Sequence, residues 1–329
     1  NNTSRDYNYS RLLDVHIWSD YPEVNDFISL IYNAYFSNQN GKKSIAKKHI
    51  KIVLLDLYVA WLDDPDLCIA VNMTRDFYSK NFGTDTTRYN ELNISAKTIN
   101  VVNTLKDKGY HVIMMDLFGR GNSDNPDLPQ TDQLRAQQVL ELIDELKIDK
   151  AVLVGLSNGG RIISKMADLS SEKIQALFYV STSSFMDYEK PTSVEVSSKE
   201  IKDFIATYPT RSKGQLADFY DQNRFPNWPN KYEKLLYHKG FAKALISTQK
   251  NLITMDEIHV KIDSLGLPVY AFWGIHDQVV IYDAFKEKLK ILLPNRKEFF
   301  IKNAAHLPHM ENQEVFENLL LTSLIDIIN

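Results

Sequence analysis

Ser157 stands at the centre of Gly155-Leu156-Ser157-Asn158-Gly159, directly after the apolar run Ala151-Val152-Leu153-Val154 and ahead of a helix-forming stretch. Glycine two residues to either side suits a serine held on a tight strand-to-helix turn, because a side chain at either place would collide with the strand or the helix. Such a turn strains the serine backbone and presents its hydroxyl at a sheet edge. A hydroxyl is a poor nucleophile at neutral pH unless a base takes its proton. Histidine suits that task, and a carboxylate fixes the tautomer of the histidine and stabilises its imidazolium. Both types follow downstream, each after an apolar run: Asp277 closes Gly274-Ile275-His276-Asp277, and His306 ends Asn303-Ala304-Ala305-His306. The order Ser157, Asp277, His306 is the one expected on a sheet whose polar residues all sit at strand carboxyl ends. The chemistry is attack on a carbonyl carbon.

Other residues compete for two of these roles. Asp187 could serve as the acid in place of Asp277, and His309 and His276 flank the two proposed partners. His306 is preferred as the base because it follows a strand and a run of small residues, whereas His309 falls on the next turn. The spacing of His306 and His309 is not that of a metal site, and neither a metal nor a cofactor is called for.

The elements that must position these residues alternate. Tyr110-His111-Val112-Ile113-Met114-Met115-Asp116-Leu117 reads as a buried strand, followed by the turn Phe118-Gly119-Arg120-Gly121-Asn122-Ser123-Asp124. Residues 132–147 follow as a helix, with an apolar stripe at Leu134, Val139, Leu142, Ile143 and Leu146. Strands at 268–273 and 297–301 carry the acid and the base. Strands alternating with helices of this length imply crossover units and a parallel sheet.

The stretches DLFGRGNSD, VGLSNGG, WGIHDQVV and AAHLPHMENQEV, with the lead-in KGFAKALIST, together resemble the α/β-hydrolase superfamily over residues 105–329. The resemblance implies an α/β fold with a mostly parallel sheet and a helical cap insertion. It implies Ser157 as nucleophile, Asp277 as acid and His306 as base, with the backbone amide of Asn158 as one half of the oxyanion hole. A serine in the elbow separates the chain from relatives that use aspartate there. What remains are esterases, lipases, thioesterases, lactonases and carbon–carbon hydrolases, acting on a small-molecule acyl substrate.

An insertion at about 185–265 separates the strand after Ser157 from the acid strand. It is rich in aromatic residues, among them Phe219, Tyr220, Phe225, Trp228, Tyr232, Tyr237 and Phe241. A cap of this kind excludes water and shapes a pocket, which makes Phe185, Phe225 and Trp228 candidate substrate contacts. The alternative is that such residues pack the cap onto the body.

Residues 1–88 read as a separate, mainly helical amino-terminal region ahead of a hydrolase domain at 89–329. Ile50, Val53, Leu54, Leu57, Tyr58, Trp61 and Leu62 recur at helical intervals, as do Phe27, Ile28, Ile31, Tyr32, Tyr35 and Phe36. No apolar strand followed by a His-Gly loop, the usual source of a second oxyanion donor in the superfamily, is visible. Of the nearest candidates, Asn81-Phe82-Gly83-Thr84 lacks a preceding apolar strand and Leu54-Leu55-Asp56-Leu57 is embedded in helical periodicity. Without a substitute donor the protein would be a slow esterase or an inactive relative. Residues 92–110 also resemble the recognition helix of a winged helix-turn-helix, and residues from about 13 to 110 more loosely resemble the amino-terminal region of plasmid replication initiators. On that reading residues 97–115 would be recognition helix and wing, and Lys42, Lys43, Lys47, Lys48 and Lys51 could touch phosphates. A hydrolase-fold binding protein without catalysis is the other rival.

Composition fits a cytoplasmic enzyme of one large domain plus a smaller element. A net charge of −4 argues against general affinity for nucleic acid or anionic membrane. The single Cys68 excludes an intrachain disulfide. No window reaches the length of apolar sequence that spans a membrane.

Overall fold

The apolar runs assemble into one parallel sheet in a computed structural model that describes residues 51–55, 101, 104–105, 108, 110–120, 123, 125–237 and 240–328. Its strands are β1 (Lys51–Leu55), β2 (His111–Met115), β3 (Ala151–Leu156), β4 (Ile174–Val180), β5 (Val269–Gly274) and β6 (Lys297–Ile301), in the spatial order β2-β1-β3-β4-β5-β6. Every neighbouring pair is parallel.

Helices cover both faces, which is why β3 and β5 are buried along their whole length. Side chains alternate between two cores. Val152, Val154, Phe178, Val180, Tyr270 and Phe272 face one, and Leu153, Leu177, Tyr179, Ala271 and Trp273 face the other.

The second core is closed by helices α1 (Asp132–Glu145) and α2 (Asn158–Leu169). Thr131 caps α1, its hydroxyl accepting from the Leu134 N–H. The buried face of α1 is Ala136, Val139, Leu140 and Ile143 together with Asp132, Arg135 and Gln138, so the expected stripe is rotated: Leu134, Leu142 and Leu146 are only half-buried. Buried polar residues with partners caused the shift. Arg161 of α2 is fully buried and pairs with Asp132 at 2.7 Å. It also donates to the Ile253 carbonyl at 2.6 Å and lies over the Tyr188 ring.

Between β4 and β5 run helices α3 (Ser198–Ala206), α4 (Tyr208–Gly214), α5 (Trp228–Leu236), α6 (Phe241–Lys250) and α7 (Asp256–Ser264). Phe204, Tyr208, Phe219, Phe225, Trp228 and Tyr232 of this insertion are buried in the first core. Helices α8 (Lys286–Leu292), α9 (Pro308–Glu311) and α10 (Gln313–Ile328) complete the described chain.

Strand β1 corrects the helical reading of residues 50–62 over 51–55. It pairs with β2 on one side and β3 on the other, Leu54 standing opposite both Met114 and Val154. A strand in the middle of a parallel sheet is apolar on both faces. Its period of two vanishes, and positions at helical spacing are filled by default. The winged-helix reading is corrected too. Val101, Thr104 and Leu105 are helical, and β2 is a parallel strand of this sheet, as a crossover requires and a wing does not allow. The rest of residues 1–88, including Asn81-Phe82-Gly83-Thr84 and the lysines at 42–48, lies outside the described residues, as do 92–100.

Candidate active site

In a parallel sheet all strand carboxyl ends emerge at one edge. Ser157 leaves β3, Asp277 follows β5 and His306 follows β6, so the three come to that edge from neighbouring parts of the sheet.

Ser157 sits at φ 50° and ψ −115°, a conformation costly for any residue with a side chain. Four hydrogen bonds hold it there. Its N–H donates to the Val180 carbonyl at 2.9 Å, and its own carbonyl accepts from the N–H groups of Gly160 and Ser183, both at 3.2 Å. The Thr182 hydroxyl donates to the same carbonyl at 3.0 Å. Gly155 makes the turn possible, since a Cβ there would lie 2.5 Å from the Gly159 backbone. Asn158 is the first residue of α2, where its N–H has no intrahelical acceptor.

Asp277 and His306 form a pair. Asp277 Oδ2 stands 2.9 Å from His306 Nδ1, while Oδ1 accepts from the N–H groups of Val279 and Val280 at 2.8 and 2.9 Å. Both residues are buried. A carboxylate at Nδ1 holds the ring proton there and leaves the Nε2 lone pair to act as a base.

The competing residues stand elsewhere. Asp187 is exposed and pairs with Lys288 at 2.6 Å. His276 lies under the Tyr220 ring, stacked at 4.0 Å. His309 is fully buried, edge-on to Phe316, and neither ring nitrogen has a hydrogen-bond partner among the described residues. Burial, reinforced by the charge of His306, pushes its ring down to about 3.

The expected substrate contacts fare unevenly. Phe185 is a correction: it is 1% exposed and packs in the second core against His259, Tyr179 and Phe285, because the turn after β4 directs its ring inward beside Trp273. Phe225 stacks on Phe219 at 4.0 Å, and Trp228 meets the edge of the same ring at 5.0 Å. These two hold the insertion together. Trp228 Nε1 has no partner among the described residues.

Sequence reasoning missed the joint between the insertion and the His306 loop. The Glu311 carboxylate accepts from the N–H of Ala305 at 2.6 Å through one oxygen, and from those of Tyr220 and Asp221 at 2.8 and 3.2 Å through the other. Arg224 donates to the Glu311 carbonyl at 2.9 Å, and the His306 N–H donates to the Asp218 carbonyl at 3.0 Å. The available signal was weak: an acidic residue five positions past the candidate base. Burial raises the Glu311 carboxyl, and the three N–H groups pull it back.

Strand β1 bears on the expected lack of an oxyanion strand. Leu55 stands opposite Gly155, so an apolar strand does end beside the Ser157 turn. The residues after it lie outside the described ones. Among the described residues no cluster of His, Cys, Asp or Glu could hold a metal ion, and no helix is long and apolar enough to cross a membrane.

This fold, with its serine turn, Asp277 and His306 at one sheet edge, is that of a hydrolase superfamily. The alpha/beta hydrolase fold family matches residues 90–313, and the chain belongs to it. It is similar to Lipase 3 of Moraxella sp. (strain TA144), 27% identical over 220 residues, which cover 63% of this chain and 66% of the lipase. It is also similar to Lipase 1 of Psychrobacter immobilis, 22% identical over 65% of this chain and 70% of that protein. The match thus spans slightly less than two thirds of Lipase 3. Among solved structures, a thermophilic esterase from Thermogutta terrifontis superposes with a TM-score of 0.60 at 16% identity, covering 85% of this chain and 91% of the esterase.

Proposed function

We propose that the protein is a serine hydrolase that cleaves an ester-like carbonyl substrate through an acyl-enzyme. The observation that carries the reading is the buried Asp277–His306 pair at the edge where Ser157 is held in a strained turn. His306 takes the hydroxyl proton as Ser157 attacks the carbonyl carbon. The oxyanion is held by the Asn158 amide and a second donor. The leaving group departs with the proton from His306, and water activated by the same histidine releases the acyl group. The lipase names of two relatives support this class. The insertion acts as a cap, with Phe225 and Trp228 shaping the wall over the acyl site. Loss of one oxyanion donor costs about 10²- to 10³-fold in turnover, so ordinary esterase rates would require a donor beyond Asn158.

The test is fluorophosphonate labelling of the purified protein, with Ser157→Ala as control and a short-chain aryl ester assayed in parallel. Labelling that disappears in the variant establishes an activated serine. A folded protein that does not label is a hydrolase fold without the chemistry, and the binding-protein reading replaces this one.

A further inference from the structure

Asp218 belongs to the insertion, yet it is tied to the base. Its carbonyl accepts the His306 N–H at 3.0 Å, which fixes the two backbones side by side. Its side chain is buried, the residue being 6% exposed, and Oδ2 has no hydrogen-bond partner among the described residues. A buried carboxylate oxygen without a partner is costly. Its charge is felt by His306 and by Asp277. Glu311 and His309 lie on α9, five and three residues past His306, and Asp221 and Arg224 follow Asp218 in its own segment. Glu311 is engaged by Ala305, Tyr220 and Asp221, Arg224 donates to the Glu311 carbonyl, and Asp221 accepts from the Asn223 N–H.

We propose that Asp218 is a positioning residue for the reaction, a second carboxylate that, when ionised, stabilises the imidazolium formed as His306 takes the Ser157 proton. This rests on the reading of Ser157, His306 and Asp277 as a triad. The proton moves from Ser157 Oγ to His306, the serine oxygen forms the bond to the carbonyl carbon, and Asp218 neither gains nor loses a covalent bond. Because Asp218 lies in the insertion and His306 in the body, the device makes the basicity of His306 depend on how the insertion is seated. Burial pushes the Asp218 carboxyl up to about 6, opposed by His306 and reinforced by Asp277. Its support for His306 is therefore lost on mild acidification.

One interaction then sets two observables. Replacing Asp218 by Asn removes a buried carboxylate whose charge is coupled to that of His306. The imidazolium becomes less stable, its acidic limb moves to lower pH by about half to one unit, and the plateau rate falls by about three- to tenfold, since one unit corresponds to tenfold. A residue with only a structural role would lower the plateau and leave the limb in place.

The experiment measures the rate of fluorophosphonate labelling across about pH 4 to 9 for the wild type, Asp218→Asn and Asp218→Glu, and follows the His306 ring by NMR in the same proteins. The expected result is a limb shifted to lower pH in Asp218→Asn and retained in Asp218→Glu, with the His306 titration moving by the same amount. The wild-type ring should titrate in two steps, one near the Asp218 value of about 6. Labelling with an unshifted limb, or a single-step wild-type titration if the variants do not fold, overturns the proposal. Failure of the triad reading is distinguishable: no protein labels at all, while the NMR titration still decides whether Asp218 acts on His306.

Discussion

The Glu311 carboxylate accepts the Ala305 N–H at 2.6 Å, one residue before His306. The same side chain holds the backbone of Tyr220 and Asp221, so a single buried group ties the His306 loop to the insertion. Replacing it by Gln turns one acceptor oxygen into a donor facing an N–H. Glu311→Gln should cost about 2 kcal/mol or more and lower turnover more than it raises KM, because the position of His306 changes before any substrate contact does. Urea unfolding combined with ester kinetics checks both. A variant with wild-type stability and kcat would show that the joint is not needed.

Gly155→Ala tests the serine turn. The added Cβ would lie 2.5 Å from the Gly159 carbonyl group, and this is backbone that cannot move without shifting α2. We expect a loss of about 3 kcal/mol and loss of fluorophosphonate labelling in whatever folds. Labelling at the wild-type rate would mean that the turn tolerates a side chain and that the strain at Ser157 is not fixed by this packing.

The elements that carry the candidate site were legible because each is local. The Ser157 turn, the apolar run before Asp277 and the run before His306 each announce themselves within about ten residues, and a parallel sheet brings their ends together without further information. Strand β1 was not legible: Ile52, Val53, Leu54 and Leu55 lie in a sheet covered on both faces, and an uninterrupted apolar run has no period that separates strand from helix. The buried face of α1 was misread for a different reason. Arg135 and Gln138 look like solvent-facing residues until Phe118, Gln130 and Thr248 are seen to receive and supply their hydrogen bonds. Asp218 and Glu311 carry no motif. Their contacts join residues about ninety positions apart in sequence.

The Arg161–Asp132 pair ties α2, which begins directly after Ser157, to α1. Both groups are almost wholly buried. Removing one partner leaves the other charge in a dry site, so Asp132→Leu should destabilise the protein by about 3 to 5 kcal/mol. The double change Arg161→Met with Asp132→Leu leaves no orphan charge and should recover most of that loss. Chemical unfolding of the two singles and the double measures the coupling. Additive losses would show that the charges do not depend on each other.

His309 should set part of the acid sensitivity. Its ring is held neutral by burial, with the charge of His306 adding to the effect, and its value falls from about 6.5 to about 3. In the unfolded chain the ring binds a proton at the ordinary value, so between those two values the unfolded state carries more protons than the folded one and stability falls as pH falls. At pH 5 the loss from this residue is about 2 kcal/mol relative to pH 8. His309→Leu removes it, and also removes two ring nitrogens without partners among the described residues. His259 is pushed down to about 3 as well, by burial first and then by Arg161 and Lys288, so the variant should keep part of the acid slope. Urea midpoints at about pH 5 and pH 8 for the two proteins decide the matter. The difference between them should be small at the higher pH and should favour His309→Leu at the lower one. An equal difference at both values would mean that His309 is protonated, or partnered, in the folded state.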